Sequence, residues 1–345
     1  MVKTAILGAT GYGGVELIRL LHGHPQVELA YLSSETYSGQ RIGDVYPHLA
    51  AVEGVLSALD PAAAGGCDFA LLALPAGKSM EIVPELLKGG TRVIDVGPDF
   101  RLADPEAYRA WYGEEHSQPA LLSEAVCGIP EWHRAGISKA RLVAAPGCYT
   151  TAAVLALAPL VADGLIDPSD IVVDGKSGVS GAGRTSLKLP YHFPEANEDA
   201  AAYAVGGHRH MPEMVQHLQA LTEGPVRATF TPHLVPMTRG LLVTCYVRPA
   251  GEAKAEALRE SLRRRYQGEA FVRVMPPGEW VHTKWTQGTN LCFLAVETDR
   301  HSGRGIVVSA IDNLGKGMSG QMVQCLNLML GADEGVALTT TAAYP

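Results

Sequence analysis

The stretch ILGATGYGGVELIRLL, residues 6–21, sets Gly8, Gly11 and Gly14 where an apolar run turns into a helical pattern. Glycines at that junction let the backbone bend tightly and approach a pyrophosphate, whose charge the helix N-terminus meets. A strand that feeds a helix in this way belongs to a wound parallel sheet, and the chain keeps that rhythm up to residue 150. Runs at 3–9, 27–34, 67–75, 91–97 and 140–146 are near-continuously apolar, as strands buried on both faces must be. GGVELIRLLHGHP and GKSMEIVPELLKGG supply crossover helices between them. The pattern predicts an α/β fold, a Rossmann-type doubly wound parallel sheet. At the end of the second run stand Ser33 and Ser34, where an NAD site usually offers an acid to the ribose hydroxyls. Hydroxyls can donate to a 2′-phosphate that a carboxylate would repel, so NADPH/NADP+ is expected; Glu35 is the residue that argues against it.

Past residue 148 the texture changes. Longer, more alternating runs at 169–178, 226–236, 239–249, 269–276, 290–299 and 305–313 predict a second α+β domain with a mixed, largely antiparallel sheet, and 252–268 predicts a helix on one face. A chain of 345 residues suits two such domains. The expected division is 1–147, joined by a C-terminal helix within 314–345, and 148–313. Net charge is −8 and the basic residues are scattered apart from Arg263, Arg264 and Arg265, which argues against a nucleic-acid partner. No leader pattern and no apolar run of membrane length is seen, so a cytoplasmic protein with no membrane partner is expected. Six separated cysteines without a CxxC predict reduced thiols, with neither zinc site nor disulfides. Charged residues make up only 19% of the chain, against roughly 25% in an average soluble protein, which suggests surface covered by further copies.

APGCYTTAAVLALAPL, residues 145–160, places Cys148 between a Pro-Gly turn and an apolar helical run. Such a thiol is either a buried small hydrophobe or a thiolate favoured by the helix N-terminus. Beside a nicotinamide site, a thiolate is equipment for interconverting an acyl derivative and an aldehyde. That chemistry needs a proton carrier, and GGHRHMPEMVQHL offers His208 and His210 at another helix start. Residues at i and i+2 do not share a helix face, so the HxH pair is not read as a metal site. The Ser/Gly loop GKSGVSGAGR, ending in Arg184, and DVGPDFRL, carrying Arg101, look suited to anions.

Taken together, GATGYGG, DFRL, PGCYTTA, KSGVSGAGR, HFPEANE, GHRHMPE, TPHLVPMTRG and AIDNLGKGMSGQ run in order from residue 8 to 321, and the chain resembles the N-acetyl-gamma-glutamyl-phosphate reductase family of arginine biosynthesis. The resemblance implies NADPH-dependent reduction of a small-molecule acyl phosphate to N-acetylglutamate semialdehyde, in a homodimer or homotetramer. It implies Cys148 as nucleophile and His210 as acid/base, because the related aspartate-semialdehyde dehydrogenases end a similarly placed Arg-x-His on the catalytic histidine; His208 is the reserve. Arg101, Ser177, Arg184 and Arg209 would hold the substrate. Gly8, Thr10, Gly11, Tyr12, Gly13, Ser33 and Ser34 would hold the cofactor, joined by Asn313 and Lys316; Gly13 stands where alanine is more usual. Three rivals stand beside this reading. They are an aminoadipyl-phosphate reductase acting on a carrier-bound substrate in lysine biosynthesis, an aspartate-semialdehyde dehydrogenase, and a non-catalytic NADP-binding redox sensor. The first differs by one methylene, worth about 1–3 kcal/mol in a pocket.

Overall fold

A computed structural model describes every residue except Thr185, Leu187, Glu252, Tyr344 and Pro345. The chain divides into two compact units, one of residues 1–146, 183–185 and 318–338, the other of the remainder.

In the first unit seven parallel strands form one sheet: β1 (Val2–Leu7), β2 (Val27–Ser33), β3 (Leu56–Ser57), β4 (Phe69–Leu72), β5 (Arg92–Asp95), β6 (Val126–Cys127) and β7 (Leu142–Ala144), ordered β3-β2-β1-β4-β5-β7-β6. The order reverses direction beside β1, which is the doubly wound arrangement. Period-two side chains feed a core on each face. Ile6, Leu71, Ile94 and Val143 join Leu17 and Ile18 of helix Tyr12–Leu21 on one side. Ala5, Leu7, Ala70, Leu72, Val93 and Leu142 meet Val83 and Leu86 of helix Ser79–Lys88 on the other. Burial on both sides is why these runs lack polar alternation.

The second unit carries β8 (Ile166–Gly178), β9 (Ala201–Ala202), β10 (Ala228–Val235), β11 (Leu241–Pro249), β12 (Val272–Val274), β13 (Cys292–Thr298) and β14 (Gly305–Ile311), ordered β12-β13-β14-β11-β8-β10-β9. The β8/β10 and β12/β13 pairs are parallel and the others antiparallel, so the sheet is mixed. Helix Cys148–Ala162 is buried from Tyr149 through Val161 and packs against β8, β11 and β14, with helices His210–Gln219 and Ala255–Tyr266 alongside. A helix apolar all round must lie inside. The opposite sheet face, with Leu242, Thr244 and Tyr246 of β11, stays half-buried.

Boundaries differ from the sequence reading: residue 147 falls in the second unit, and Gly183 and Arg184 fall in the first. The helix expected over 252–268 runs Ala255–Tyr266, and Glu252 lies outside the described residues. The C-terminal return to the first unit covers 318–338, with helix Gly320–Leu330 ended by a left-handed Gly331 at φ 69°, and not all of 314–345. Residues 314–317 stay in the second unit, where the Asp312 carboxylate accepts the Leu314 and Gly315 N–H groups; Thr339 is held there through its carbonyl by the Asn290 N–H. The last two residues of that expected segment are outside the described ones. None of the six cysteines forms a disulfide, and among the described residues no helix is long and apolar enough to cross a membrane.

Candidate active site

The glycine turn of the first unit is built so that side chains cannot be added at Gly8 or Gly14. Gly8 has φ +85°, and a Cβ on it would stand 2.4 Å from the Ala73 carbonyl oxygen. A Cβ on Gly14 would stand 2.2 Å from the Gly8 carbonyl oxygen, so loop and helix touch backbone to backbone. One on Gly11 would meet nothing nearer than that carbonyl at 3.6 Å, so the rim of the turn is open. Helix Tyr12–Leu21 starts with no side-chain cap and no acid in its first turn. An open rim beside an uncapped N-terminus fits a pyrophosphate.

The polar residues around this turn hold one another. The Ser33 hydroxyl accepts the Gly8 N–H at 3.1 Å; the Ser34 and Thr10 hydroxyls lie 2.8 Å apart, and Ser34 also accepts the Tyr37 N–H. Both serines are buried, at 2% and 5% exposure. Glu35, the residue at odds with a 2′-phosphate, has its carboxylate on the Leu59 N–H at 2.9 Å. The Tyr46 hydroxyl donates to the Thr10 carbonyl at 2.7 Å. Arg184 lies in this unit: its guanidinium donates to the same carbonyl and to the Tyr37 hydroxyl, both at 3.3 Å, and lies 5.1 Å from the Tyr46 ring centre and 5.6 Å from that of Tyr37. Gly13 faces Met318, and the Ser319 hydroxyl donates to its carbonyl. Tyr12 is exposed. Arg101 reaches the Ala145 carbonyl at 3.0 Å and that of Val96 at 2.6 Å, at the carboxyl ends of β7 and β5.

In the second unit Cys148 is the first residue of its helix, part-exposed, with Gly147 as N-cap and no side-chain cap. Gly147 has φ −62°, which any residue adopts, so its backbone does not demand glycine. The His210 ring demands it: a Cβ on Gly147 would stand 2.2 Å from Nε2 and 2.4 Å from Cε1. His210 begins helix His210–Gln219, and its position one residue from the thiol follows from that helix packing on the Cys148 helix. Glu213, one turn further and fully buried, accepts the Gly147 N–H at 2.9 Å. Sequence reasoning quoted the motif holding Glu213 and passed over it; its i+3 spacing from His210 was the available signal.

His208 lies behind His210, and its Nδ1 accepts the His210 N–H at 3.1 Å. Burial pushes its pKa down to about 4, against an opposing pull from Glu213, so it is neutral near pH 7. Tyr149, Tyr203 and Phe230 pack edge-on around His208. Burial raises both tyrosines, so they remain hydroxyl donors, Tyr149 to the His233 carbonyl at 3.1 Å. Arg209, between the histidines, is exposed.

The Ser/Gly loop is not the open cradle its composition suggested. The N–H groups of Gly178, Val179 and Ser180 donate to the carbonyls of Gly240, Met237 and Thr238. The Ser177 hydroxyl donates to the Gly178 carbonyl, and Ser180 accepts from Asn313 at 2.9 Å. Asn313, expected at the cofactor, also accepts the Gly240 N–H at 2.8 Å and so clamps this loop within the second unit. Lys316 is fully buried there too, and Gly317 beside it brings the chain so near Cys148 that a Cβ would stand 2.7 Å from the cysteine Cβ.

Two family descriptions match this chain: "Semialdehyde dehydrogenase, NAD binding domain" over residues 3–140 and "Semialdehyde dehydrogenase, dimerisation domain" over 148–313. Curated relatives named N-acetyl-gamma-glutamyl-phosphate reductase from Desulforudis audaxviator and Desulforamulus reducens are 49% and 47% identical, each over 100% of both chains. Among solved structures, aspartate semialdehyde dehydrogenase II of Vibrio cholerae complexed with ASA aligns with TM-score 0.73 at 18% identity, covering 96% of this chain and 98% of that one. The Candida albicans aspartate semialdehyde dehydrogenase with NADP aligns with TM-score 0.71 at 16% identity, covering 97% and 99%. The solved structures show the shared two-domain architecture, and the full-length relatives show the family. Matched over its whole length by these relatives, the chain belongs to the N-acetyl-gamma-glutamyl-phosphate reductase family of semialdehyde dehydrogenases.

Proposed function

We propose that this chain reduces N-acetyl-gamma-glutamyl phosphate to N-acetylglutamate 5-semialdehyde and phosphate, using NADPH and a thioester on Cys148, in arginine biosynthesis. The observation that carries the reading is the His210 imidazole lying on Gly147, next to the helix-starting thiol. Gly8, Thr10, Gly11, Tyr12 and Gly13 would hold the cofactor, with Ser33 and Ser34 bracing the turn from behind. Bound NADPH supplies the hydride that takes the thioester to the aldehyde oxidation level.

The protein's own part is proton handling and positioning. His210 takes the Cys148 thiol proton, helped by the helix N-terminus that favours the thiolate. Sulfur bonds the acyl carbon and the carbon–oxygen bond to phosphate breaks, phosphate leaving with the electron pair. The product on sulfur is a thioester; once it is reduced to the thiohemiacetal level its former carbonyl oxygen is negative, and His210 protonates it. It recovers that proton as the carbon–sulfur bond breaks and the aldehyde leaves. His208, held neutral, braces His210 by accepting its backbone N–H, and Glu213 fixes Gly147, on which the imidazole lies, by accepting its N–H. Arg101 and Arg209 would meet the substrate's anionic ends, while Ser177 and Asn313 hold the Ser/Gly loop in shape and Lys316 lies buried beside Gly317, the residue that passes Cys148. The half-buried sheet face of the second unit would join copies of the chain into a homodimer or homotetramer. The reduced thiols suit the cytoplasm.

The test runs the reaction backwards with NADP, phosphate and each candidate semialdehyde, following NADPH. N-acetylglutamate semialdehyde should be the good substrate; a preference for the aminoadipyl or aspartyl homologue overturns the assignment. Cys148→Ser should lose phosphate-dependent turnover by at least about 10³-fold, and full turnover by that variant removes the thioester.

A further inference from the structure

We propose that Arg184 selects NADPH over NADH by pairing with the 2′-phosphate of the adenosine ribose, an inference that rests on the NADPH reading above. In a wound sheet that ribose is met at the carboxyl end of the second strand, beside the glycine turn. Here that end holds Ser33, Ser34 and Glu35, and all three are engaged elsewhere. Ser33 accepts the Gly8 N–H, Ser34 bonds Thr10 and accepts the Tyr37 N–H, and Glu35 accepts the Leu59 N–H. The exposed Glu35 carboxylate is drawn toward Leu59 through its Oε1, and the two serines are too buried to meet a dianion alone.

The chain instead delivers a cation from far along its length. Gly183 and Arg184 leave the second unit's Ser/Gly loop and belong to the first unit, where the guanidinium lies on Thr10 of the glycine turn and on Tyr37, three residues past Ser34. Tyr37 and Tyr46 flank it with their rings, and no carboxylate pairs with it among the described residues. Its named bonds use two of the five N–H donors that a guanidinium carries. A planar fork held by two rings and a carbonyl is pre-organised for a phosphate, which it meets with charge-assisted bonds. The sequence reading gave Arg184 to the substrate; its surroundings favour the nucleotide.

The test measures dissociation constants for NADPH, NADH and 2′,5′-ADP by calorimetry on the full chain, with no turnover. Arg184→Gln keeps a donor for Thr10 and removes the charge; Arg184→Ala removes both. Each should weaken NADPH and 2′,5′-ADP by about 10- to 100-fold, the worth of a lost charged hydrogen bond, while NADH binding changes by less than about threefold. Equal losses on NADPH and NADH overturn the proposal in favour of a scaffolding role. Unchanged nucleotide binding with a raised KM for the acyl phosphate returns Arg184 to the substrate. Arg41, an exposed cation at the N-cap of the short helix Ile42–Val45, is the comparison: if Arg41→Ala collapses the preference and Arg184→Gln does not, the proposal falls. Wild-type protein that binds NADH as tightly as NADPH sinks the NADPH reading itself, a result distinct from all of these.

Discussion

Gly147 shows how one absent side chain sets a reactive geometry. Its φ of −62° would suit alanine, yet a Cβ there would stand 2.2 Å from His210 Nε2. Gly147→Ala should therefore leave folding nearly intact while displacing the imidazole. A misplacement of about 1 Å costs on the order of 10²-fold in rate, so kcat should fall by about that factor with Tm shifted by less than about 3 °C. Steady-state kinetics with a thermal melt checks this; a kcat within about threefold of wild type would remove His210 from the proton path. At this scale the sequence was legible where chemistry and motif coincide, as at Cys148 and His210. It was opaque where a side chain's partner is distant: Asn313 clamps Ser180 and Gly240, contacts that no local pattern announces.

At the scale of elements, the turn between β1 and its helix separates two kinds of glycine. A Cβ on Gly14 would meet backbone atoms of Gly8 and Ala9 at 2.2 to 2.7 Å, whereas one on Gly13 would meet the tip of Met318, its Cε at 2.3 Å. Backbone cannot yield and a methionine tip can. Gly14→Ala should cost about 3 kcal/mol or more, and Gly13→Ala should keep NADPH affinity within about threefold, as melts and titrations would read. Comparable damage from both would mean that the turn is held otherwise than described. The five longer strands of the first sheet were readable because burial on both faces makes them continuous apolar runs. The two-residue strands β3 and β6 were not, since two residues carry no periodicity. The Ser/Gly loop misled for a related reason: its amides are taken by carbonyls of residues 237–240, a pairing made only when β8 and β11 are aligned.

For the whole molecule, the half-buried face of the second sheet sets the expected assembly. Leu242, Thr244 and Tyr246 alternate with fully buried neighbours on β11, so one side of a long strand remains partly open to solvent. A stable pairing of copies covers about 1,600 Å² in total, a size that a sheet face can supply. Light scattering should give a dimer or tetramer, and Tyr246→Asp should shift the mass toward one chain; a wild type that runs as a single chain at micromolar concentration would refute this.

The helix that carries the thiol is enclosed from Tyr149 to Val161. Drift along that segment is therefore punished twice, in packing and in turnover. A lineage, or an engineer, seeking a longer acyl chain has very little room to work in the rod on which the sulfur rides.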